Sequence, residues 1–324
     1  MSDTLPLSVW PCAQQSSAVQ RRGRYVPDAI AHPAKMLPEI ARRAISAYST
    51  PGDIVLDPMC GIGTTLVEAM HLGRKAVGVE YEPRWAEVAE GNLALAEAFG
   101  ATGTGEVHVG DARALGSLVP ASLRGRVALV LTSPPYGSSV HGRVDVRSGE
   151  VLKRDDRYSC DASNLAHVGE AELLHAVRDI FSACVPLLRP GGIAVVSARP
   201  WRRKGLLVDF PGAVLGAAEA AGLVPVQRLV ALLAALHEDR IVPRASFFQL
   251  RLVRQARAAG IPLRVISHED VLVFRKPGTS ATSRCRPAGL VPLESPPRAG
   301  RRWRPTQLSV LAIARTDAKA PTEP

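Results

Sequence analysis

At 324 residues the chain is long enough to bury one α/β core with length to spare. Its five cysteines, Cys12, Cys60, Cys160, Cys184 and Cys285, are scattered without a C-x-x-C pair, which argues against a disulfide framework and against a zinc site. A formal net charge of +10 suits a polyanionic partner, although an arginine-rich genome composition produces the same excess.

Residues 1–27 carry Pro, Ser, Gln and the cluster Arg21-Arg22-Gly23-Arg24, and read as an irregular, mobile arm. They lack the basic head and apolar stretch of a signal peptide, and no run in the chain nears the roughly 18 apolar residues of a membrane span. A cytoplasmic protein is therefore expected. From His32 to Tyr48 the apolar positions recur at helical spacing. A βα alternation follows. Strands are expected at 54–56, 76–80, 106–109, 127–131, 193–197, 223–232 and 265–274, and helices at 64–72, 83–99, 170–188 and 207–222. This order implies an α/β fold with a doubly wound, mostly parallel, seven-stranded sheet, its last strand antiparallel. Residues 28–276 would form this domain, with insertions at about 138–169 and 236–262. Residues 277–324, rich in Pro, Arg, Gly and Ser, would form a flexible basic tail.

The turn after the first core strand is Asp57-Pro58-Met59-Cys60-Gly61-Ile62-Gly63-Thr64-Thr65. In a doubly wound sheet ligands sit at the carboxyl ends of the strands, and this turn is the usual place. Gly61 and Gly63 remove side chains where the backbone must turn and approach a ligand. The turn is neither Gly-x-Gly-x-x-Gly nor a Lys-bearing phosphate loop, so a ribose- and adenine-bearing ligand without a phosphate fits it best. Glu80 ends the next strand, where a carboxylate can accept both ribose hydroxyls. Asp111 follows the third strand and can receive an adenine amino group. Their neighbours Tyr81 and Ala112 join the expected set. S-adenosylmethionine answers this description.

Thr132-Ser133-Pro134-Pro135-Tyr136-Gly137 closes the fourth strand. Two prolines lack backbone donors and have a fixed φ, so they hold their carbonyls outward. An exocyclic amine on a base is a weak nucleophile, its lone pair delocalised into the ring. Ser133 Oγ and the Pro134 carbonyl could accept its two N–H bonds and direct that lone pair at a sulfonium methyl. Pro135 keeps the segment rigid, and Tyr136 could stack on a base drawn out of its helix. Cys60 lies in the wrong motif for attack on a cytosine ring carbon.

These motifs resemble those of the amino-group DNA methyltransferases, which make N6-methyladenine and N4-methylcytosine. The resemblance covers roughly residues 28–200. His32-Pro33-Ala34-Lys35-Met36-Leu37-Pro38 is similar to the family segment beside the methionine part of the cofactor, which adds His32 and Lys35 to the expected cofactor set. The resemblance implies a Rossmann-like class I methyltransferase fold and S-adenosylmethionine as cofactor. It also implies DNA as substrate, a cognate restriction endonuclease as a partner, and cytosine N4 over adenine N6, because Ser133 stands in place of Asp or Asn. Met59 departs from the phenylalanine common in the family. An RNA base methyltransferase on the same core, or a non-catalytic nucleic-acid-binding protein, are the alternatives. Nucleic-acid contacts are expected from Arg143 in the first insertion, and from Arg251, Arg254 and Arg257 along one side of a helix in the second. Both insertions also read as plain solvated surface.

Overall fold

The computed structural model describes residues 5–135, 143–147, 150–154, 164–203, 206–245 and 247–278. Tyr136, most of the first insertion and the tail beyond residue 278 lie outside these residues.

A short strand β1 (Val9–Pro11) and helix α1 (Ser17–Arg21) precede a 3-10 turn at Pro27–Ala31 and helix α2 (Pro38–Tyr48). The alternation then runs β2 (Ile54–Asp57), α3 (Thr64–His71), β3 (Lys75–Glu80), α4 (Pro83–Ala98), β4 (Thr104–Val109), α5 (Leu115–Leu118) and β5 (Val127–Thr132). After a hairpin of β6 (Arg143–Arg147) and β7 (Glu150–Arg154) come α6 (Glu170–Cys184) and β8 (Leu188–Ala198). A small pair, β9 (Trp201–Arg203) and β10 (Leu206–Val208), leads to α7 (Phe210–Ala220) and β11 (Val224–Leu232). The hairpin β12 (Ala234–His237) and β13 (Arg240–Pro243), helix α8 (Phe247–Ala258) and strand β14 (His268–Arg275) complete the described chain. Pro38 and Pro83 stand in the first turns of α2 and α4, where a missing N–H costs nothing.

The main sheet has eight strands in the order β1-β11-β14-β8-β5-β2-β3-β4. All adjacent pairs are parallel except those of β14, which runs antiparallel to both β8 and β11. The central strands carry near-continuous apolar runs because both faces are covered. Val55, Leu129, Leu131, Val195, Val271 and Val273 pack with α2, α3 and α4. Their neighbours Leu56, Val130, Val196, Leu272 and Phe274 pack with α6 and α7 on the other side. This is the Rossmann-like, doubly wound architecture that the alternation of strands and helices implied. No helix among the described residues is long and apolar enough to cross a membrane.

Two expectations need correction. The sheet has eight strands rather than seven, because residues 9–11 pair in parallel with Val230–Leu232 at its edge. The N-terminal segment from residue 5 is therefore no mobile arm. Cys12, Tyr25 and Ala29 are buried in the core. Two arginines of the cluster are taken up by the fold. Arg21 is buried and donates to the Met36 carbonyl, at 2.5 Å. Arg24 and the Tyr25 hydroxyl both donate to the buried Glu68 carboxylate of α3, at 2.8 and 3.0 Å. A charge buried in this way needs such partners, and they come from a segment whose strand and helix are too short to show periodicity.

Candidate active site

The strand order reverses direction between β2 and β5, which lie side by side at the centre of the sheet. The carboxyl ends of these two strands are where a doubly wound sheet opens a crevice. The glycine turn leaves β2 there, and Ser133-Pro134-Pro135 leaves β5. Sheet topology thus brings together two motifs about seventy residues apart in the chain.

Two contiguous clefts result. One is lined by Pro58, Met59, Glu80, Tyr81, Asp111 and Ala112, with Ser133 and Pro135 at its inner end. The other is lined by His32, Lys35, Asp57, Cys60, Gly61 and Thr64, and meets Ser133, Pro134 and Pro135 from the opposite side. Met59, Ser133 and Pro135 belong to both.

The turn itself is held by the two acids nearest to it. Asp57 accepts from the Met59 backbone N–H at 3.1 Å and from the Thr65 hydroxyl at 2.6 Å. Burial pushes its carboxyl up to about 6, against the lowering effect of these bonds. Glu80 accepts from the Gly61 N–H at 2.7 Å and the Glu82 N–H at 3.0 Å, and burial raises it to about 7. Gly61 and Gly63 have φ of +54° and +77°, the left-handed region that favours glycine. A Cβ on Gly61 would also lie 3.1 Å from His32 Nε2. His32 is buried with its ring edge-on to Trp85, centroids 4.7 Å apart, and forms the wall behind the turn. Gly63 caps α3, so the helix N-terminus faces the second cleft.

The residues fit S-adenosylmethionine. Glu80 offers a buried carboxylate to a diol. Ala112, Leu165 and Ile180 give the first cleft apolar walls for a flat ring. Thr64 Oγ1 is buried without a hydrogen-bond partner among the described residues and lines the second cleft, where the methionine part of the cofactor would lie. Lys35 donates to the backbone carbonyls of Ile30 and His32, which fixes the ammonium at the rim of this cleft. Cys60 is buried, and burial raises its thiol far above the ordinary range, so it offers no thiolate nucleophile.

Other expected residues stand differently. Asp111 already accepts from Arg113, its side chain bonding both carboxylate oxygens at 2.5–3.0 Å, and this pairing holds Asp111 below the usual carboxylate range. A carboxylate has acceptor sites to spare, so an adenine amino group would share it with Arg113. Arg251, Arg254 and Arg257 are exposed on α8, and Arg257 donates to the Leu263 carbonyl at 3.3 Å. Arg143 is placed in β6 opposite Arg154. Arg251, Arg254 and Arg257 are not among the described residues that line the two clefts. Sequence reasoning missed Asn164, which lines the first cleft and donates to Glu82 at 2.7 Å. It lies in a stretch without periodicity, so no local signal marked it. Glu269, which lines the second cleft, was also missed.

The DNA methylase family model matches residues 2–91, which include the N-terminal segment, the glycine turn and Glu80. The tRNA (guanine(10)-N2)-dimethyltransferase of Methanocaldococcus jannaschii is 34% identical over 124 residues, 38% of this chain and 33% of that protein. The Type II methyltransferase M.ScaI of Streptomyces caespitosus is 33% identical over 88 residues, 27% of this chain and 28% of that protein. The resemblance to the amino-group DNA methyltransferases holds. The matched stretches span only about a third of these curated relatives. Among solved structures, TrmN from Thermus thermophilus aligns with 80% of this chain and 53% of its own, at 18% identity and a TM-score of 0.47.

The state of Glu80 sets a pH dependence for this site. A carboxyl raised to about 7 is largely protonated at pH 6 and ionised at pH 8. With Glu80 as the acceptor of the two ribose hydroxyls, as we propose, the ionised form is favoured and cofactor binding should release a proton near neutrality. Affinity should rise up to about tenfold between pH 6 and pH 8 and level off above. The sign for the free protein is opposite: a raised carboxyl contributes stability below its unfolded pKa and loses it as pH rises through 7. Calorimetry in buffers of different ionisation enthalpy checks the proton release. An affinity flat across this range would contradict it.

Proposed function

We propose that the chain transfers a methyl group from S-adenosylmethionine to an exocyclic amino group of a nucleic-acid base, with DNA as substrate and cytosine N4 favoured over adenine N6. One observation carries the reading: Ser133, Pro134 and the glycine turn line the same cleft. Bound there, S-adenosylmethionine would supply an electrophilic methyl on a positively charged sulfur. Ser133 Oγ and the Pro134 carbonyl accept the N–H bonds of the amine and orient its lone pair. Tyr136, next in the chain, stacks on the extruded base. The exposed arginines of α8 contact phosphates, with Arg143 from the first insertion. A cognate endonuclease belongs to the DNA reading.

A second reading, methylation of a guanine N2 in tRNA, is favoured by the archaeal relatives at 34% identity. Incubating the purified protein with methyl-labelled cofactor and separate DNA and tRNA pools divides the two. Digestion of the product to nucleosides then names the base. Label in DNA as N4-methylcytosine is expected. Label confined to tRNA would replace the first reading with the second.

A further inference from the structure

Transfer of a methyl group to a neutral amine leaves the nitrogen positively charged with one proton too many. The residues so far assigned to the amine cannot take that proton. A serine hydroxyl and a peptide carbonyl accept hydrogen bonds but are far too weak as bases to hold it. The usual remedy is a carboxylate within reach, and the Ser-Pro-Pro segment does not carry one.

The fold supplies one from another strand. Because β14 runs antiparallel, its first residues lie at the carboxyl ends of the parallel strands, where the cleft opens. Asp270 pairs with Ala198 and Val271 with Ser197 at the end of β8. Glu269 therefore stands two strands from β5 at the mouth of the crevice, and it lines the second cleft with Ser133, Pro134 and Pro135. The Ser197 hydroxyl, fully buried, donates to Glu269 Oε2 at 2.6 Å. That bond fixes the carboxylate. Its other oxygen has no hydrogen-bond donor, and the group has no cation partner, among the described residues. The adjacent Asp270 faces away and is engaged by Arg228 at 2.8 Å. An acid half-buried in a ligand cleft, held by one bond and neutralised by none, is an unusual use of a charged side chain for structure alone.

We infer that Glu269 is a catalytic residue that accepts the proton of the target amine. The inference rests on the amino-methylation reading above. In the step, the nitrogen lone pair forms the N–C bond as the S–C bond breaks, and that electron pair stays on sulfur as a neutral thioether. The extra N–H proton passes to Glu269, which releases it to solvent as the methylated base leaves. Before transfer, the same carboxylate stabilises the charge growing on nitrogen.

Single-turnover transfer from labelled cofactor to DNA and to tRNA, with wild type and Glu269→Gln side by side, tests it. Glutamine still accepts from Ser197 but takes no proton. The transfer rate should fall by about a hundredfold or more, while cofactor affinity by calorimetry stays within about twofold. A rate within about threefold of wild type overturns the assignment and leaves the methyltransferase reading standing. A wild-type protein that labels neither nucleic acid overturns both. Glu269→Asp is the second variant, shorter but still a carboxylate. It should retain at least about ten times the rate of Glu269→Gln, and equal loss in the two would show that packing rather than proton transfer was removed.

Discussion

Replacing Glu80 with alanine should leave a folded protein that binds S-adenosylmethionine about a hundredfold more weakly. Two hydroxyl hydrogen bonds to a buried carboxylate are each worth about 1.5–3 kcal/mol, and losing about 3 kcal/mol corresponds to roughly that factor. Part of the effect would come through the turn, because Glu80 also accepts from the Gly61 N–H at 2.7 Å. Glu80→Gln keeps the Gly61 bond while removing the negative charge. Glutamine keeps one acceptor for Gly61 but turns a donor toward the diol and the Glu82 N–H, so its affinity should fall between wild type and alanine. Calorimetric titration checks both variants. An alanine variant within about threefold of wild type would mean that the carboxylate organises the turn without touching the ligand.

The second large effect is expected at Tyr136. Tyr136→Ala should lower turnover by two to three orders of magnitude and leave cofactor affinity unchanged. Stacking on an extruded base is worth about 1–3 kcal/mol. A base held loosely also misaligns its amine with the methyl group, and a misplacement of about 1 Å costs a further hundredfold. The measurement is turnover on the nucleic acid that accepts label, alongside cofactor titration of the same protein. Tyr136→Phe, which keeps the ring face, should retain most of the activity. Unchanged turnover in the alanine variant would remove stacking from the mechanism.

How far the molecule can be read from its residues depends on the range of the signal. The glycine turn, Glu80 and the Ser-Pro-Pro segment are local patterns tied to the ends of strands, and long apolar runs mark those strands well. Their meeting in one cleft follows from strand order, which the alternation of strands and helices already implied. The antiparallel last strand was legible too, but its consequence for Glu269 was not. A Glu-Asp pair heading an apolar strand carries no chemistry until one knows which end of the sheet it reaches. The N-terminal segment failed for a different reason. Its ordering comes from partners far away in sequence: Leu232 for the strand, Glu68 for the arginine and tyrosine, Asn92 for the Val26 N–H at 2.7 Å. Three-residue strands and five-residue helices have no periodicity to detect. Asn164 was hidden in the same way, its role set by Glu82 across the cleft.

The excursion from residue 233 to 267 has a consequence of its own. It leaves the sheet after β11 and returns at β14, and the Leu233 N–H donates to the Ser267 carbonyl at 2.8 Å, closing the exit against the entry. The segment is tied to the body a second time beside β1, where the Leu236 N–H donates to Gln14 Oε1 at 3.2 Å and Arg244 donates to the carbonyls of Ala13 and Gln14 at 3.4 and 3.1 Å. Exchanging the excursion for another of different length would therefore disturb the turn that follows the edge strand β1, so residues 13 and 14 must be exchanged together with it.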